Sequence, residues 1–122
     1  MDIEKLDLVD LHCHVVPCVD DGSMSLDESI KMIEEEMKNG VHTIICTPHF
    51  RKGMFEADYE LIENNFLGLK EEINKRNLNV EIYLGREIYI NSMNGSLERT
   101  IDRINNNVVQ SINGTKHFLF EF

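Results

Sequence analysis

The sequence predicts an α/β fold with a parallel sheet, amounting to roughly the first half of a closed (β/α) barrel. Three observations predict it. Short apolar runs alternate with helix-period segments in the order strand, helix, strand, helix, strand, the signature of βαβ units. The 122 residues allow one domain at most, against about 250 for a typical closed barrel. The last apolar run, His117-Phe118-Leu119-Phe120-Glu121-Phe122, carries the chain to its final residue, an unusual place for a domain to stop.

Leu6, Leu8, Val9 and Leu11 read as a short buried strand. It closes on Asp10-Leu11-His12-Cys13-His14, and alternation on extended backbone sends His12 and His14 to the same side. Paired neutral imidazoles suit zinc, iron or manganese, although His-x-His is also common by chance. The following stretch, Val15-Val16-Pro17-Cys18-Val19-Asp20-Asp21-Gly22-Ser23, is a loop by its proline and glycine. Asp-Asp-Gly on its own reads as a turn; beside His-x-His, one of the two carboxylates becomes a candidate ligand.

Ser25 and Glu28 form a capping box, after which Leu26, Ile30, Ile33 and Met37 recur at helical spacing until Gly40. Thr43-Ile44-Ile45-Cys46-Thr47-Pro48-His49 is a β-branched strand stopped by a proline, with a histidine directly after it. A second helix begins near Asp58, carries Ile62, Phe66, Leu69 and Ile73 on one face, and ends near Asn77. Val80 to Leu84 is the third strand, followed by Gly85 and the carboxylate of Glu87. Asn91 to Gly95 is turn-rich, and Leu97, Ile101 and Ile104 indicate a short helix. Val108 to Ile112 reads as a strand that Asn113-Gly114 would join to the last one as a hairpin. That last strand carries Glu121.

Metal-type residues thus recur at four successive strand ends, and packing does not require them there. In parallel α/β folds the C-terminal strand ends form the functional face.

Composition narrows the function. The apolar fraction of 42% supports a modest core, and a formal charge of −10 excludes an electrostatic nucleic-acid binder. Glu34-Glu35-Glu36 and Glu71-Glu72 read as solvated helix faces. Three cysteines argue against a disulfide framework; Cys46 reads as a small core residue, while Cys13 and Cys18 flank the candidate site as conceivable thiolate ligands. No run reaches membrane-spanning length and the N-terminus is no signal peptide, so a cytoplasmic location and no membrane insertion are expected. The sequons at Asn94 and Asn113 then read as turns.

Asp10-Leu11-His12-Cys13-His14, Pro17 with Val19-Asp20-Asp21-Gly22, Thr47-Pro48-His49, Gly85-Arg86-Glu87-Ile88 and Glu121-Phe122 together resemble the PHP (polymerase and histidinol phosphatase) superfamily. Within it the chain resembles the bacterial manganese-dependent protein-tyrosine phosphatases of capsule and exopolysaccharide operons, the CpsB/YwqE type. The resemblance implies a distorted (β/α)7 TIM-like barrel with up to three metal ions at its C-terminal face. Residues 1–122 would be the N-terminal portion of that single domain. By motif position His12 and His14 would hold one metal, Asp21 and His49 another, Glu87 would bridge two and Glu121 would complete the visible part. Asp20 would stand behind the ligands. The family's later ligands, a histidine and an Asp-x-His, and its phosphate-binding arginines from the second half have no counterpart here. Cys18 replaces the glycine usual after the proline. Arg86 stands where a small or uncharged residue is usual, and reads as a surface side chain.

The implied reaction is phosphotyrosine hydrolysis by a metal-activated hydroxide, with manganese as the expected metal and iron or zinc as alternatives. No cysteine here has the Cys-x5-Arg arrangement of cysteine phosphatases. The implied substrate is a polysaccharide-export tyrosine kinase. Arg51 and Lys52 could meet an anionic substrate, but read first as an exposed loop charge pair. Two other readings stand beside this one: a PHP phosphoesterase acting on a small molecule such as histidinol phosphate, and an inactive metal-binding remnant. The isolated chain is expected to show little or no turnover, and its open sheet edges favour self-association.

Overall fold

The computed structural model describes residues 2–122. Six strands and three helices follow one another: β1 (Leu8–Cys13), α1 (Leu26–Lys38), β2 (Val41–Cys46), β3 (His49–Phe50), α2 (Tyr59–Lys75), β4 (Glu81–Leu84), β5 (Glu87–Tyr89), α3 (Ser96–Asn105) and β6 (Leu119–Glu121). Two parallel sheets result, β1-β2-β4 and β3-β5-β6. The chain passes from the first to the second twice, through Thr47-Pro48 and through Gly85-Arg86. Backbone bonds bridge both crossings: Gly85 N–H donates to Cys46 O at 2.8 Å and Glu87 N–H to Pro48 O at 3.0 Å. What the sequence presents as strand ends are therefore points where strands change sheet. No helix among the described residues is long and apolar enough to cross a membrane.

Local chemistry sets the helices. Ser25 Oγ accepts from Glu28 N–H at 3.0 Å, and the Glu28 carboxylate accepts from Met24 N–H at 3.1 Å, which closes the start of α1. Ile30 and Ile33 of α1 and Ile62, Phe66, Leu69 and Ile73 of α2 bury against Cys13, Ile44, Cys46 and Ile82 of the first sheet.

Three expectations are corrected. β1 is not buried: Leu8, Val9 and Leu11 are 46%, 51% and 66% exposed. It is an edge strand with a neighbour on one side only, and its pairing with β2 is irregular between Asp10 and Cys13. The Val108–Ile112 strand and its hairpin do not form. Val109 is buried with Phe50 and Ile88, Ile112 enters a 3-10 turn (Ile112–Gly114), and β6 pairs parallel to β5. Finally, Glu36 is not a solvated face residue.

Glu36 is partly buried beside Asp10 and the buried thiol of Cys13. Burial, then the hydrogen bond and repulsion from the Asp10 carboxylate, push its carboxyl up to about 7 from an ordinary 4.5. A raised folded-state pKa favours folding below pH 4.5, and that contribution is lost as pH rises through about 7. Glu36→Gln is therefore expected to be more stable than wild type at pH 8, by about 1 kcal/mol after allowing for solvent screening, with the gain vanishing near pH 5. Chemical denaturation at the two pH values checks this; an equal difference at both would contradict it.

Candidate metal centre

Every sheet crossing delivers a side chain to one place. β1 ends with His12 and His14 on one side and Cys13 turned the other way, into the helix-facing core. Pro48, which has no N–H, precedes His49, and Gly85-Arg86 precedes Glu87. β3 and β5 then pair with His49 directly opposite Glu87.

One carboxylate oxygen is the hub. Glu87 Oε2 lies 2.8 Å from His12 Nε2, 3.0 Å from His14 Nε2 and 3.3 Å from His49 Nδ1. The Nε2 atoms of His12 and His14 are 3.1 Å apart. Asp21 and Glu121 sit at the rim: Asp21 Oδ1 is 3.5 Å from His49 Nε2, and Glu121 Oε2 is 3.8 Å from His49 Nδ1. Glu87 is 5% exposed, which makes it the buried carboxyl group of the cluster.

Asp20 works from behind. Its carboxylate accepts from His14 Nδ1 at 3.0 Å, from His49 N–H at 3.0 Å and from Gly22 N–H at 2.9 Å. This holds the His14 ring with Nε2 aimed at Glu87, as outer carboxylates do for metal-binding histidines. Burial pushes the Asp20 carboxyl up, but the His14 ring and the two amides outweigh it and hold it below the usual carboxylate range. The same hydrogen bond raises His14 above the usual imidazole range, against burial, which lowers it. The loop that carries Asp20 is tight. A Cβ on Gly22 would collide with the backbone carbonyl oxygen of His14. Cys18 holds φ of 63°, a conformation that glycine takes with less strain.

The donor set suits a divalent transition metal. Nitrogens and a carboxylate oxygen spaced 2.8 to 3.3 Å apart match neighbouring donors on one small cation, for which bonds of about 2.1 Å at right angles give a separation of about 3 Å. Neither flanking cysteine joins them. Burial first, and the Asp10 and Glu36 charges next, push the Cys13 thiol up to about 12, and Cys18 is exposed with Sγ donating to Met24 O at 3.1 Å. A cavity of about 660 Å3 lies elsewhere, between α2 and the segment carrying Val109 and Phe118. It gathers no histidine cluster, so chemistry places the site and cavity size does not.

The family model for capsular polysaccharide synthesis, CpsB/CapC, matches residues 8–122. The chain belongs to the CpsB/CapC family. It is similar to the tyrosine-protein phosphatase CpsB of Streptococcus agalactiae serotype V, with 37% identity over 115 residues, 94% of this chain and 45% of that protein. It is also similar to the tyrosine-protein phosphatase YwqE of Bacillus subtilis, with 30% identity over 94% of this chain and 43% of YwqE. Among solved structures it matches a chain from the crystal structures of B. subtilis YwqE and Streptococcus pneumoniae CpsB, described as metal-dependent tyrosine phosphatases. The TM-score is 0.81 at 28% identity, covering 94% of this chain and 44% of that one. The chain thus spans somewhat less than half the length of the relatives it matches.

Sequence reasoning misplaced one neighbour of the site in this CpsB/CapC chain and missed another. Arg86 is no surface residue: it is 1% exposed, donates to Ala57 O at 2.9 Å, and leans toward His49 O through Nε and Nη2, both at 3.4 Å. Phe55 stacks on His49 with centroids 5.0 Å apart and forms a wall of the site. Nothing local in the sequence marks either residue: the sheet crossing that buries Arg86 is set by strand pairing.

Proposed function

We propose that this chain supplies the metal-binding N-terminal part of a phosphatase that hydrolyses phosphotyrosine on a protein. The observation that carries the reading is the convergence of three imidazoles on the buried Glu87 carboxylate. His12 and His14 would hold one divalent cation, His49 and Asp21 another, with Glu87 between them and Glu121 at the rim. An imidazole–carboxylate set suits manganese, with iron and zinc also accommodated. Such cations supply Lewis acidity toward phosphoryl oxygens and lower the pKa of water toward neutrality. The chain's own share is to fix the donors. Asp20 sets the His14 ring, the His49 amide is pinned to Asp20, and Phe55 covers one face of His49. The relatives' names favour a protein substrate carrying phosphotyrosine; the substrate we propose is a tyrosine kinase of polysaccharide export, in a cytoplasmic setting. Residues 1–122 are read as part of one barrel domain.

The test is phosphate release from a phosphotyrosine peptide, with chelator and then with added Mn2+, alongside a His12→Ala, His14→Ala variant. We expect any turnover to vanish with chelator, return with Mn2+ and be absent in the variant. Mn2+ binding without turnover would confine this portion to holding metal. Failure of the wild-type chain to bind Mn2+ would overturn the reading.

A further inference from the structure

The strands that carry His49 and Glu87 continue beyond them. β3 and β5 pair with His49 opposite Glu87 and Phe50 opposite Ile88; Arg51, the residue directly after β3, lies beside Tyr89, the last residue of β5. Alternation puts both on the face that carries His49 and Glu87. Tyr89 is in turn opposite Glu121 on β6. Arg51, Tyr89 and Glu121 therefore form a level directly above the cluster, about 6–7 Å further along the strands. Side chains from this level reach the cluster, since Glu121 Oε2 comes to 3.8 Å from His49 Nδ1.

The Arg51 guanidinium lies 4.0 Å over the Tyr89 ring. Its backbone is fixed by a small closed turn, in which Arg51 N–H donates to Phe55 O at 2.9 Å and Phe55 N–H to Arg51 O at 2.8 Å. The same turn lays Phe55 on His49. Arg51 is partly buried, yet among the described residues its guanidinium makes no hydrogen bond and no ion pair, in a chain with 22 acidic residues. Its sequence neighbour behaves differently: Lys52, 72% exposed at its side chain, pairs with Glu56 at 3.0 Å, as an ordinary loop charge does. A guanidinium is a planar fork of donors suited to the oxygens of a phosphoryl group. Here the fork rests on an aromatic face beside a metal-type cluster, with its donors uncommitted.

We propose that Arg51 binds the phosphoryl oxygens of the substrate, with Tyr89 as the surface that holds its guanidinium in place. The proposal rests on the phosphatase reading and adds to it a phosphate-binding residue within this half of the chain. The experiment is calorimetric binding of inorganic phosphate and of phosphotyrosine to the Mn2+-loaded chain, for wild type, Arg51→Gln and Arg51→Lys, with Mn2+ affinity measured for each. Arg51→Gln is expected to weaken both anions by at least about tenfold, Arg51→Lys by less, and neither to change Mn2+ affinity. Unchanged anion binding in Arg51→Gln would overturn the proposal. So would an equal loss of Mn2+ affinity, which would make Arg51 part of the scaffold. A wild type that takes up Mn2+ but no phosphate defeats this proposal alone, whereas one that takes up no Mn2+ defeats the metal reading along with it.

Discussion

Glu87→Gln is expected to lower the chain's Mn2+ affinity by at least about a hundredfold. Loss of an outer carboxylate that merely orients a ligand reduces metal affinity by about 10–100-fold, and Glu87 is the group on which three ligand-type nitrogens converge, so its loss should exceed that range. Glutamine keeps the shape and one carbonyl acceptor but removes the carboxylate charge that would offset the proposed cations. The substitution is nearly isosteric in a site that is 5% exposed, so the metal-free protein should unfold at close to the wild-type temperature. Calorimetric Mn2+ titration alongside a thermal melt separates the two effects. Affinity within about threefold of wild type would show that Glu87 is not a shared ligand, since loss of even an outer orienting group usually does more.

Arg86→Ala is expected to destabilise the fold by about 3 kcal/mol, a fall of roughly 10 °C in Tm for a domain of this size. Burial pulls the guanidinium down to about 10 against the upward pull of Asp20 and Asp58, so it is still charged at neutral pH. A buried charge is not stabilising in itself. Its removal is costly because of its partners. Ala57 O loses its donor, His49 O loses two longer contacts, and a large void opens beside Phe50, over whose ring the guanidinium lies at 5.3 Å. Arg86→Met fills most of that void without restoring the donors, and should fall between alanine and wild type. Denaturant unfolding of the three proteins measures both steps. A methionine variant as stable as wild type would mean that the carbonyl contacts contribute nothing and packing is the whole effect.

Both residues lie in sheet crossings, and that is where local reading runs out. His12 and His14 were legible because alternation along a strand is a property of the backbone alone. The two helices were legible because capping and a 3.6-residue period need no knowledge of the partner. Arg86 was not legible: its neighbours Ala57 and His49 are brought to it by another helix entry and another strand, and no feature of Gly85-Arg86-Glu87 marks a buried cation. The hairpin expected at Asn113-Gly114 failed for a related reason. Its turn residues do adopt turn conformations, with φ of 48° and 70°, but β6 finds a partner in β5, and Val109 is drawn under Phe50.

The sequence by itself determined the α/β alternation, the approximate helix limits and the family, because these follow from local periodicity and short motifs; the family resemblance in turn nominated His12, His14, Asp21, His49, Glu87 and Glu121 as candidate ligands. Tertiary structure alone decided that Glu87 is the hub, that Asp20 orients His14, that Arg86 is buried and that Arg51 stands uncommitted over Tyr89. Three of these depend on which strands pair and in what register, a matter of contacts between residues tens of positions apart. Asp20 instead reaches His14 through the fold of one short loop, six residues along the chain.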